Sequence, residues 1–261
     1  MTILDKIFET KRREVDLAKS ITPAQSLRTM AELCPPRRGF LNALKSSRRS
    51  PALIAEVKRA SPSQGEIVLG EFDPVTIART YERSGATCLS VLTDVQYFKG
   101  SPEYLQQVRA AVEIPLLRKD FICDAYQLDE AIIWGADCIL LIVAGLEPND
   151  LFCLYKEAKL RGLDVLVEVH NEAETEIALE LQPDFIGINN RDLATFETDI
   201  TTTERLMKMM PDGVFTVSES AIQARADVLM VTSFGANAVL IGTAFCGSPD
   251  IGEKVKEVMG Y

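Results

Sequence analysis

In six places along the 261-residue chain, a short apolar run stops at polar or ionisable residues able to do chemistry. They are Glu56 with Lys58, Arg118-Lys119-Asp120, Glu168 with His170, Asn189-Asn190-Arg191-Asp192, Ser218-Glu219-Ser220 and Gly242-Thr243. An ionisable group in an apolar strand is costly to bury unless it is paired. Glu56 and Glu168 therefore require cations, and Lys58 and Lys119 are the natural partners. The two-residue period of a strand puts Glu56 and Lys58 on one side. Two lysines and two glutamates facing one cavity can divide acid and base work, because neighbouring charges drive their pKa values apart. That chemistry needs no metal. The chain has one histidine, His170, which excludes zinc sites built on several imidazoles and leaves a Ser-His-Asp hydrolase no other base. Where the strand gives way to a loop, His170 reads as a loop or supporting residue rather than a catalytic one.

The last two of these places carry a second meaning. Loops after the final strands of many barrels present backbone N–H groups to a phosphate, so Ser220-Ala221 and Gly242-Thr243 are candidate phosphate contacts. Phe98, in the loop at 96–101, either stacks on an aromatic substrate or packs within its loop. Trp134 and the Met207-Lys208-Met209-Met210 run read as packing.

These residues need a scaffold that gathers strand ends. Strand-like runs fall at 52–57, 87–92, 114–118, 137–143, 164–169, 184–189, 214–218 and 238–242. Amphipathic segments lie between them at 74–84, 102–112, 124–135, 148–161, 172–181, 203–210 and 222–235, several closing on a glycine that reads as a helix cap. Apolar strands alternating with helices imply a parallel sheet, and eight such units favour a closed (β/α)₈ TIM barrel over an open sheet. No G-x-G-x-x-G follows the first run, which disfavours a dinucleotide-binding sheet. Residues 1–50 differ in character: an amphipathic helix at 4–19, with Ile7, Phe8, Val15 and Leu17 among its apolar positions, is expected to pack across one end of the barrel. The whole of 1–261 is expected to form a single barrel domain with this N-terminal helical extension.

With 28 basic against 38 acidic residues, the net charge of −10 disfavours nucleic acid and anionic membrane surfaces as partners. The six cysteines form no close pair and read as free thiols of a reducing cytoplasm. Neither a signal-peptide core after Met1 nor an apolar run of membrane-spanning length is present.

The stretches 56–63, 92–94 with 97–101, 117–121, 187–193 and 218–220 resemble indole-3-glycerol phosphate synthases of tryptophan biosynthesis, in family order and over essentially the whole chain. The resemblance implies a carboxy-lyase that closes the ring of 1-(2-carboxyphenylamino)-1-deoxyribulose 5-phosphate and releases carbon dioxide and water. It implies no cofactor and a small phosphorylated, anthranilate-derived substrate. Its catalytic set maps onto Glu56, Lys58, Lys119, Glu168, Asn189 and Ser220, with Lys119 as the acid on the ketone oxygen. Asn189 and Arg191 would orient the substrate, Glu219 and Ser220 would lie near the sugar chain, and Phe98, Phe121 and Leu140 would line the aromatic pocket. Ser61, Gly242 and Thr243 would complete the rim and phosphate site. Many relatives have glycine where this chain has Ala221, which matters only if that position requires a positive φ. Phe245-Cys246 replaces a Leu-Met-like pair and reads as a packing change. Such a chain is expected to act as a cytoplasmic monomer, without a fused second barrel or amidotransferase domain. The competing readings are a Schiff-base aldolase, a phosphoribosyl isomerase barrel and a non-catalytic sugar-phosphate-binding barrel.

Overall fold

The computed structural model describes residues 2–62, 65–68, 71–193 and 195–261. Ser63, part of the first family-like stretch, lies outside the described residues. Eight strands close into a parallel barrel: β1 (Ala52–Val57), β2 (Cys88–Leu92), β3 (Leu116–Lys119), β4 (Cys138–Ile142), β5 (Asp164–Val169), β6 (Phe185–Asn189), β7 (Phe215–Glu219) and β8 (Ala238–Ile241). Each pairs with the next, and β8 returns to β1 with Ala238 opposite Ala52. All eight anticipated runs are strands, with ends moved by a residue or two. A two-stranded ribbon after β1, Ala60–Ser61 against Gly65–Glu66, was not foreseen.

Helices α1 (Ile3–Ile21), α2 (Ala24–Glu32) and α3 (Phe40–Lys45) precede the barrel. Around it run α4 (Pro74–Arg83), α5 (Pro102–Ala111), α6 (Tyr126–Ile133), α7 (Pro148–Leu160), α8 (Glu172–Glu180), α9 (Thr201–Met207) and α10 (Arg225–Ser233), and α11 (Thr243–Cys246) and α12 (Ile251–Met259) follow β8. The starts are written locally: the Asp73 carboxylate accepts from the backbone N–H of Val75 and Thr76 with Pro74 in the first turn, and Ser101 caps α5 in the same way. At the other ends Gly85 and Gly135 take φ of +95° and +91°, a region that suits glycine.

Alternation sorts the strand residues into two cores. Leu53, Ala55 and Val57, with Leu141, Val165 and Val167, face the surrounding helices. Ala52, Ile54, Leu117, Leu140, Leu166, Val217 and Leu240 fill the barrel. Above this apolar filling the inward positions become Glu56, Lys119, Glu168, Asn189 and Glu219, so the polar residues form the uppermost inward tier.

The extension packs on both ends of the barrel, not one. Phe40 on α3 stacks on Phe185 at the start of β6 (6.3 Å between ring centres), and the Leu41 N–H donates to Asp164 at the start of β5, which closes the lower end. At the upper end Phe8 meets Phe121 edge-on at 5.8 Å, and Lys11 Nζ lies 2.9 Å from Asp94 and 3.2 Å from Asp120. Leu17, counted among the apolar positions of this helix, is exposed.

Candidate active site

All fourteen residues singled out from the sequence line one cavity at the C-terminal end of the strands: Glu56, Lys58, Ser61, Phe98, Lys119, Phe121, Leu140, Glu168, Asn189, Arg191, Glu219, Ser220, Gly242 and Thr243. It encloses roughly 1080 Å³ of empty space out to its open mouth. Pro62, Leu92, Ile142, Leu193, Phe196, Ile222, Gln223 and Leu240 also line it. Pro62, Leu92 and Leu193 fall inside the family-like stretches; the others are ordinary apolar or loop residues that nothing in the sequence separates from packing.

The anticipated lysine–glutamate pairing is present, with a third carboxylate added. Lys58 Nζ sits 2.6 Å from Glu56 Oε1. Lys119 Nζ donates to Glu168 Oε2 at 2.9 Å and to Glu219 Oε2 at 3.0 Å. Glu219 was expected beside the sugar chain; the structure makes it a direct partner of Lys119. The available signal was its position inside an apolar strand, the same signal that marked Glu56 and Glu168.

The electrostatics follow from three buried acids sharing few cations. Burial opposes the Lys119 ammonium, but Glu168, Glu219 and Glu56 outweigh it and hold the amine protonated well above its ordinary range. Burial likewise opposes charge on Glu168, yet Lys119 and His170 keep it ionised, well below the usual carboxylate range. Glu219 is left with the deficit. Burial dominates, Lys119 offsets it only in part, and repulsion from Glu168 adds to it, so its carboxyl is pushed up to about 7. Glu219 Oε1 is buried with no hydrogen-bond partner among the described residues.

Two glycines make room for these acids. A Cβ on Gly187 would collide with Glu219 Oε1, and one on Gly242 would stand 2.9 Å from the Glu56 Cβ. Side chains at either position would displace a carboxylate from the cluster.

His170 is more deeply involved than a loop residue. Its side chain is 7% exposed, with Nε2 3.2 Å from Glu168 Oε1 and Nδ1 2.8 Å from Glu174 Oε2. It does not line the cavity. The hint in the sequence was its spacing of two from Glu168, which turns both side chains the same way.

The remaining residues hold the rim. Asn189 Oδ1 accepts from the Arg191 N–H, and Arg191 Nη1 donates to the Phe196 carbonyl at 2.8 Å. Asn190, fully buried, donates to Ser218 Oγ and to the Glu219 and Ser220 carbonyls while accepting from Thr203, and so clamps the end of β7. Ser220 and Ala221 both lie in the left-handed region, with φ of 63° and 60°. Position 221 thus lies at a positive φ, which glycine would take freely and which alanine holds under strain. Phe98 tilts against Phe121 at 5.8 Å on the cavity wall. Trp134 lies under the Arg118 guanidinium at 4.1 Å, away from the site. Phe245 and Cys246 pack on Tyr81, in keeping with a packing change.

A family model described as indole-3-glycerol phosphate synthase matches residues 4–258. The chain is 49% identical over 242 residues to the indole-3-glycerol phosphate synthase of Chlorobium phaeovibrioides, covering 93% of each. It is 46% identical over 267 residues to that of a Roseiflexus species, covering 99% of this chain and 98% of the relative. Among solved structures, 3-hexulose-6-phosphate synthase from Salmonella typhimurium superposes with a TM-score of 0.65 at 11% identity, over 80% of this chain and 97% of that one. A chain of the tryptophan synthase complex from Pyrococcus furiosus gives 0.61 at 14% identity, over 82% and 99%. At such identities these structures share the fold alone.

Proposed function

The chain belongs to the indole-3-glycerol phosphate synthase family, and from that premise we propose how its own residues divide the work. The enzyme is a carboxy-lyase of tryptophan biosynthesis: it converts 1-(2-carboxyphenylamino)-1-deoxyribulose 5-phosphate to indole-3-glycerol phosphate, carbon dioxide and water.

In our reading the ring carbon bearing the carboxylate attacks the ketone carbon, and the ketone oxygen takes a proton from Lys119. Loss of carbon dioxide returns the electron pair of the breaking C–C bond to the ring. The new hydroxyl then leaves as water with a second proton, while a base removes the proton from the carbon next to nitrogen. Two protons given and one taken match the single proton that a decarboxylation consumes. The observation that carries this division is Lys119 held protonated between Glu168 and Glu219 at the cavity wall. Glu168, kept ionised, serves as the base. Glu219, balanced near neutrality, is suited to return a proton to Lys119.

Phe98, Phe121 and Leu140 supply the apolar wall for the anthranilate ring, and Arg191 with Asn189 the contacts for its carboxylate. The phosphate falls to the loops after β7 and β8, where Ser220 follows β7 and Gly242 and Thr243 cap and open the short helix α11, an arrangement common in phosphate-binding barrels. Ser61 and Lys58 close the rim. The −10 net charge does not oppose an anionic substrate, because Lys58, Lys119 and Arg191 gather at one mouth while charges beyond roughly 8 Å are screened at physiological salt.

The same reading takes 1–261 as one domain, supported by an extension that touches both barrel ends, and the protein as a monomer of the cytoplasm, the compartment supported by six free thiols. The test of function is an assay of purified protein with the aminodeoxyribulose phosphate, which should yield indole fluorescence without added metal or nucleotide. A dialysed, chelator-treated sample that stays dark overturns it. Borohydride added with substrate should leave Lys119 and Lys58 unlabelled; a trapped adduct would favour the aldolase.

A further inference from the structure

His170 is a buried side chain that the mechanism above leaves without a part. It sits between the end of β5 and the start of α8, and both elements direct a carboxylate at it. Glu168 Oε1 lies 3.2 Å from Nε2, and Glu174 Oε2 lies 2.8 Å from Nδ1. Glu174 is itself fixed, because Oε2 also accepts from the His170 backbone N–H, Oε1 accepts from Asn171 Nδ2, and its own N–H donates to Asn171 Oδ1. The turn Val143–Gly145, which also packs on α8, carries no ionisable side chain. On the far side of Glu168, its Oε2 meets Lys119, which in turn meets Glu219. The Glu168 carboxylate thus faces a cation at both oxygens: Lys119 donates to Oε2, and His170 Nε2 stands 3.2 Å from Oε1 as an ion-pair contact without hydrogen-bond alignment.

We propose that His170, clamped in its cationic form by Glu174, is a positioning residue that keeps the Glu168 carboxylate ionised and aimed into the cavity. Geometry explains the need. Lys119 is shared between two acids, so one ammonium alone cannot hold both ionised; a second cation on Glu168 Oε1 decides which acid keeps its charge. Glu168 keeps it, and Glu219, without such a partner, is pushed up to about 7. Burial disfavours the imidazolium, but Glu168 and Glu174 together outweigh burial and push its pKa up to about 10.

The inference rests on Glu168 being the base, and the tests separate the two claims. His170 is the chain's only histidine, so its ring signals in NMR of the intact enzyme are unambiguous. Both ring nitrogens should report an imidazolium from pH 6 to pH 8.5 without titrating; a midpoint near the ordinary 6.5 overturns the proposal whatever Glu168 does. Glu174→Gln should lower the pKa of His170, so the alkaline fall in kcat should begin at least one unit earlier, with KM little changed. His170→Leu should reduce kcat about tenfold at neutral pH, a share of the roughly 10²–10⁴ that a positioned proton-transfer group supplies, and should make the rate fail at a higher acidic pH. A folded Glu174→Gln enzyme with an unmoved pH profile would reduce His170 to packing. Full turnover in Glu168→Gln would instead remove Glu168 as the base while leaving the NMR result standing.

Discussion

One buried and one half-buried lysine in this barrel have nearly the same immediate chemistry and opposite uses. Lys11 on α1 meets Asp94 at 2.9 Å, Asp120 at 3.2 Å and Glu14 at 2.9 Å. Lys119 meets Glu168 at 2.9 Å and Glu219 at 3.0 Å. Around Lys11 the two buried acids have further support: Asp120 also receives Arg118 at 3.0 Å and the Thr93 hydroxyl at 2.7 Å, and Asp94 Oδ1 receives the N–H groups of Tyr97 and Phe98. Burial works against Asp120, but Arg118 and Lys11 prevail and its pKa falls to about 2. Around Lys119 the acids outnumber their support, and one of them, Glu219, rises to about 7. Lys119 also lines the cavity, with 14% of its side chain exposed against 5% for Lys11. A cluster whose buried acids are each anchored by further donors is a fastener, whereas a cluster short of one cation retains a proton that can move.

The sharpest way to break this comparison is to remove each lysine in turn. Lys119→Met should lower kcat by about 10²–10⁴ with the substrate still bound, as measured by steady-state kinetics and titration calorimetry. Loss of binding with unchanged turnover of what binds would make Lys119 an anion clamp. Lys11→Met should do the reverse: about 3–5 kcal/mol of stability lost in urea unfolding, since it leaves buried Asp94 and Asp120 short of a partner, with a much smaller change in kcat for the folded fraction.

A subtler contrast lies in pH. If Glu219 exchanges its proton near 7, the wild-type rate profile should bend there, and Glu219→Gln should remove the bend. An identical profile in the variant would move that proton elsewhere in the cluster. For the fastener the dependence is on stability. Asp120 has a depressed pKa when folded, so its contribution is complete above the unfolded value near 4 and is lost as pH falls through about 2. Denaturant titrations between pH 5 and pH 2 should show that loss, and Asp120→Asn should flatten it.

The smallest effect concerns the rim. Ala221→Gly should stabilise the protein by about 1 kcal/mol, because glycine takes a φ of 60° without the strain alanine bears, offset in part by its greater freedom when unfolded. Thermal melts read this directly, and no gain would mean that the neighbouring contacts of β7 already absorb the strain.

The two lysines also differ in how legible they were. Lys119 ends an apolar run, and the residue types at six such run ends name the cavity's chemistry from the sequence. Lys11 looks like any solvated charge on an amphipathic helix, because its partners lie 83 and 109 positions along the chain, at Asp94 and Asp120. Glu219 was visible as a buried acid but not as the partner of Lys119, since only barrel closure brings β7 across from β3. His170 was underrated for the same reason: its value depends on Glu174 turning back from α8. The helices α2 and α3 escaped notice because each is short and carries its pattern only where the barrel supplies the other half of the contact.

By itself, then, the sequence determined the eight strands, the shared side of Glu56 and Lys58, and the identity of the groups at the strand ends, all of which follow from periodicity and from the cost of placing charge in apolar runs. Which acid keeps its charge, which lysine is sealed and which exposed, and whether Ala221 is strained were decided only in three dimensions. A pKa or a backbone strain is set by everything within a few ångströms, and in a closed barrel those neighbours come from strands far apart in the chain.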